Sequence, residues 1–82
     1  MSQQFTQQVK TRVSVLVFLK GASAPLVLYV ENPLELYNEL IGYVGAAANK
    51  VIEKDTNGPI KRVAFCSSQI SAIAMQEEQY IK

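Results

Sequence analysis

The side chains able to do chemistry in this sequence are few, and they stand apart. There is one cysteine, Cys66, and no histidine. A thiol becomes a nucleophile when a neighbouring cation lowers its pKa, and Lys61 and Arg62 precede Cys66 closely. In an extended segment Arg62 and Cys66 share a face but sit about 13 Å apart, at a rise of about 3.3 Å per residue. That is too far for close pairing, so Cys66 reads as a small buried hydrophobe. A hydroxyl nucleophile needs a base within hydrogen-bond reach. With histidine missing, Ser67 and Ser68 read as turn formers.

The carboxylates do not assemble either. Glu35 and Glu39 are one helical turn apart, a spacing that suits a cation or a shared proton, yet both fall on the expected wet face of a helix. Glu77 and Glu78 read as terminal charge. One cysteine without histidine excludes a structural zinc site. No glycine-rich phosphate loop is present, because Gly42 and Gly45 lie within a helical pattern rather than a strand-to-helix turn. We therefore expect no catalytic, cofactor-binding or metal site and read the chain as non-enzymatic.

Lys10, Arg12, Lys61 and Arg62 are the one basic set worth testing. If their strands are neighbours, they form a patch near Phe5 or Phe18, the pattern of a weak nucleic-acid surface. No aromatic motif for stacking RNA bases accompanies them. Eight basic and seven acidic residues nearly cancel, leaving no long-range field to gather nucleic acid or an anionic membrane.

The elements that must position these groups centre on residues 32–49, NPLELYNELIGYVGAAAN. Asn32 is a favoured N-cap, Pro33 suits the first helical position, and Glu35 suits both a capping box and the helix dipole. Leu36, Leu40, Tyr43, Val44 and Ala47 make an apolar stripe at spacings of three and four. Gly42 and Gly45 weaken the second half by about 1 kcal/mol each, marking close packing or an early fray.

Residues 12–20, RVSVLVFLK, alternate as a strand: Val13, Val15, Val17 and Leu19 on one face, Ser14, Leu16, Phe18 and Lys20 on the other. After a Gly/Ala/Ser link, residues 25–31 form a second strand, completing a hairpin. Its Leu26, Leu28 and Val30 oppose Val27, Tyr29 and Glu31. Residues 50–54 predict a short strand, Asn57-Gly58 a tight turn, and residues 60–67 and 70–76 two further strands. In the last of these, Ile73 and Met75 oppose Ala72 and Ala74.

The expected fold is α+β: a β-β-α-β-β(-β) antiparallel sheet with one helix packed on one face. Residues 1–9 read as a disordered polar tail, 10–78 as a single domain and 79–82 as a frayed terminus. The polar amino terminus lacks a signal-peptide core, no apolar run approaches a membrane span, and one cysteine permits no internal disulfide. A cytoplasmic protein is the expectation.

Leu36 and Tyr37, followed by Lys61, Val63, Ala64, Ser67, Ile70, Ala72 and Ile73, resemble a family of short, uncharacterised cyanobacterial proteins. That likeness covers about half the chain and carries over no active site. Function is read instead from the second sheet face. Leu16, Phe18, Val27 and Tyr29 make it more apolar than a wetted sheet face should be. They point to protein–protein association, most simply a homodimer.

Overall fold

The computed structural model describes residues 9–81. Strand β1 is Val9–Leu19, β2 Leu26–Leu28, helix α1 Pro33–Ile41, β3 Val51–Asp55, β4 Arg62–Cys66 and β5 Ile70–Ile81, with a 3-10 turn at Ser67–Gln69 before β5. The α+β class and the antiparallel pairing are as the sequence predicts. The strands, however, divide between two ladders rather than one. A three-stranded sheet runs β2-β1-β5, and β3 pairs with β4 in a separate two-stranded sheet. A bridge between Tyr29 and Asn57 ties the end of β2 to the β3–β4 loop.

The first and last strands of the described fold are partners over their whole length, from Val9 opposite Ile81 to Leu19 opposite Ile70. Residues 79–81, expected to fray, are therefore strand. The predicted tail lies outside the described residues except for Val9, which opens β1. A bulge interrupts the β1–β5 ladder: Phe18 faces Ala72, but Leu19 faces Ile70. Ser71 is the extra residue, and its hydroxyl donates to the Phe18 carbonyl at 2.9 Å. One inserted residue reverses the alternation, which brings Ile70 to the core alongside Ile73.

The core lies between the odd-numbered face of β1, the helix and the smaller sheet. Val15, Val17, Leu28, Leu36, Leu40, Ile52, Phe65 and Ile70 are buried in it. Within it, Ile52 and Phe65 are cross-strand partners. Helix α1 lies over β1 and β5 and presents Leu36 and Leu40, one turn apart, to the core.

The helix is shorter than its apolar stripe predicts. It ends at Ile41, after which Tyr43 N–H bonds the Leu40 carbonyl and Val44 N–H that of Ile41, tightening the last turn. Gly45, at φ 76°, then turns the chain away. The glycines mark an early end rather than a close approach to the sheet. Asn32 sits at the N-cap without making a side-chain cap hydrogen bond, so Pro33 and the acidic Glu35 carry the start.

Buried Ser67 holds the 3-10 turn against the segment entering β3. Its Oγ accepts from Lys50 N–H at 2.9 Å and donates to the Ala48 carbonyl at 3.2 Å. The turn role predicted for Ser67 and Ser68 stands, Ser68 meeting the Asn49 side chain at 2.9 Å. Asn57-Gly58 also turns the chain, but only Gly58 takes positive φ, at 83°. Asn57 donates its N–H to the Tyr29 carbonyl instead.

Candidate association surface

The sheet face turned away from α1 is assembled by register. Leu16 pairs with Val27 on β2 and with Ala74 on β5, and Phe18 pairs with Ala72. Cross-strand partners share a face, so Leu16, Phe18, Val27, Ala72 and Ala74 form one apolar surface across three strands. Leu16, Phe18, Val27 and Ala74 are half-buried and Ala72 is exposed. The alternation in β1 and β2 was enough to find the first three. Alternation also sets Ala72 and Ala74 on one face, but their place beside Leu16 and Phe18 requires the pairing of β1 with β5.

Tyr29, the fourth expected member, closes the surface in a different way. Its hydroxyl donates to Glu78 Oε2 at 2.8 Å. Because the strand order is β2-β1-β5, a side chain leaving the end of β2 must pass over β1 to reach β5. Arg12 lies over the Tyr29 ring at 4.1 Å from its centroid and also approaches Glu78, Nη2 to Oε1, at 3.5 Å. Ser14, the β1 residue on the rung beneath that crossing, is fully buried, and among the described residues its Oγ has no hydrogen-bond partner. The hydrogen bond to Glu78 pushes the Tyr29 hydroxyl above its ordinary pKa, helped by desolvation and the carboxylate charge and opposed by Arg12. Gly58 packs on the same ring: a Cβ there would lie 2.8 Å from Tyr29 Cδ2. The far face thus has an apolar middle and a polar clasp at one end.

The expected basic patch has a different setting. Lys10 and Arg12 are on β1, while Arg62 opens β4 in the other sheet and Lys61 immediately precedes it. The condition for a shared patch, neighbouring strands, is not met. Arg62 meets Asp55 at 2.8 Å and Glu53 at 3.6 Å, and Arg12 is held in the Tyr29–Glu78 clasp. Glu39, weighed above with Glu35 as a cation pair, is bound to Lys54 at 2.9 Å.

Both glutamates border a cleft of about 360 Å³ between α1 and the end of β3, which Glu31 and Asp55 also line. Among the described residues no group of three or more acidic, cysteine or histidine side chains is placed to hold a metal ion. Cys66, the last residue of β4, is half-buried rather than fully buried. Among the described residues no helix is long and apolar enough to cross a membrane.

Compared with known proteins, the chain matches no family model, and no curated protein or solved structure matches it significantly.

Proposed function

We propose that this protein works by association rather than catalysis, and that its partner is a second copy packed against the sheet face carrying Leu16, Phe18 and Val27. The observation that carries the reading is the register. It sets two large side chains on the central strand, Leu16 and Phe18, directly beside two alanines on β5, Ala74 and Ala72. A ridge next to a trough is self-complementary, so a two-fold rotation lays the ridge of one copy into the trough of the other. Arg12, Tyr29 and Glu78 stand at the end of the apolar patch, where a polar rim is usual. A cytoplasmic setting fits a chain with a single cysteine, and no cofactor enters this reading.

Sedimentation or light scattering between low and high micromolar concentration tests it. The wild type gains mass with concentration, and Phe18→Lys halves the mass reached at the top of the range while keeping the far-ultraviolet circular dichroism of the fold. A wild type that stays monomeric at high micromolar concentration, or a mass that Phe18→Lys leaves unchanged, overturns the proposal.

A further inference from the structure

A separate surface, the outer edge of β5, points to a second contact. Strand β5 is twelve residues long and pairs with β1 along one side. Among the described residues no strand pairs with its other side. Edge strands are normally blunted by charge, proline or bulges. Here the Ser71 bulge ends the regular edge at one side and Glu77 ends the uncharged stretch at the other. Between them Ala72, Ile73, Ala74, Met75 and Gln76 are regular, uncharged and free of proline.

Helix α1, which packs on β5, also leaves apolar side chains open. Glu39 reaches Lys54, so that flank of α1 faces β3. Leu34 and Ile41, seven residues apart and therefore aligned on a helix, lie on the flank turned away from β3. They are 60% and 48% exposed, and Met75 on β5 is 41% exposed although its partner Val15 is fully buried. Three of the large apolar side chains left open thus belong to β5 or to the helix packed on it.

We infer that the edge of β5 pairs antiparallel with the β5 edge of a second copy, about a two-fold axis at Ala74. That register is the one that sets all five regular residues against themselves. Ala74 faces its own copy, Ile73 faces Met75 and Ala72 faces Gln76. Glu77 then faces Ser71 and Glu78 faces Ile70, so no glutamate meets another. A two-fold contact requires such self-complementarity, which an unrelated extended peptide would not. The result is a continuous sheet in the order β2-β1-β5-β5-β1-β2, with the two α1 helices on one side. This contact is independent of the far-face contact proposed above, and it leaves that face open.

Amide hydrogen exchange read residue by residue on the wild type at high micromolar concentration is the test. In a strand paired on one side, only alternate amides are slow. Edge pairing makes successive amides from Ala72 to Gln76 slow, with the outward ones retarded by about tenfold or more. In a Cys66→Ser background, Ala74→Cys oxidises to a covalent dimer, because facing residues of paired strands lie about 4.5–5.5 Å apart at Cα, within disulfide reach. Ala72→Cys and Gln76→Cys, each made alone, do not. The far-face contact cannot imitate this link, since packed sheets lie about 10 Å apart. Alternating protection at the highest concentration with no Ala74 cross-link overturns the inference. So does protection that appears only when a peptide from another protein is added.

Discussion

At the scale of single residues, the Tyr29 clasp is the most informative group in the molecule. A tyrosine that ionises less readily in the folded state adds stability below its unfolded pKa, near pH 10. That contribution is lost as pH rises through the higher folded value. Absorbance at 295 nm on raising pH should therefore contain a late phase that Tyr29→Phe removes and Glu78→Gln moves earlier. If Tyr29→Phe merely scales the whole curve down, the hydroxyl is not held by Glu78. Beneath the ring, Ser14 Oγ is buried without a partner among the described residues, and a buried orphan hydroxyl costs free energy. Ser14→Ala should leave stability unchanged or raise it by up to about 1 kcal/mol in urea unfolding. A loss larger than that would mean that Ser14 is hydrogen-bonded in solution. Nothing local in the sequence foretold the clasp: Tyr29 and Glu78 are 49 residues apart, and only the strand order brings them together.

At the scale of elements, legibility followed the range of the forces involved. Alternation in residues 12–20 identified both faces of β1, because period-two burial is a local pattern. The stripe through Leu36 and Leu40 located the helix, and its end at Ile41 agrees with the penalty expected from Gly42 and Gly45. What sequence pattern could not give was pairing. Strict alternation through residues 70–76 would set Ile70 with Ala72 and Ala74; the bulge at Ser71 turns it inward, a choice made by the β1 ladder. Similarly, EEQYIK looked terminal because its charges hide the strand that Val9 to Arg12 hold in place. Leu40 is fully buried beneath the helix, so Leu40→Ala should cost about 2–5 kcal/mol. A loss below about 1 kcal/mol in denaturant unfolding, far under the usual cavity penalty, would show that α1 is not firmly seated on the sheet.

For the whole molecule, the division into two sheets is what sets the surfaces. The small β3–β4 ladder occupies the β2 side of the helix, through the Lys54–Glu39 ion pair and the Tyr29–Asn57 bridge. Nothing comparable among the described residues stands on the β5 side. One flank is therefore closed by the chain itself, while among the described residues no element covers the far face or the β5 edge. A patch of four basic residues needs strands that this arrangement keeps in different sheets, so the same topology that creates the apolar surfaces disperses the charge.

Pairing β1 with β5 also bears on the order of events during synthesis. Val15 and Val17 leave the ribosome before their cross-strand partners, Met75 and Ile73, which follow some sixty residues later. Until then the central strand has only β2 beside it, and closing so long a loop makes such contacts slow to form. Until β5 emerges, the nascent chain must carry this apolar strand unpaired on one side. Stalling the ribosome before β5 has emerged therefore leaves a chain without its fold, prone to aggregate and a natural client for chaperones.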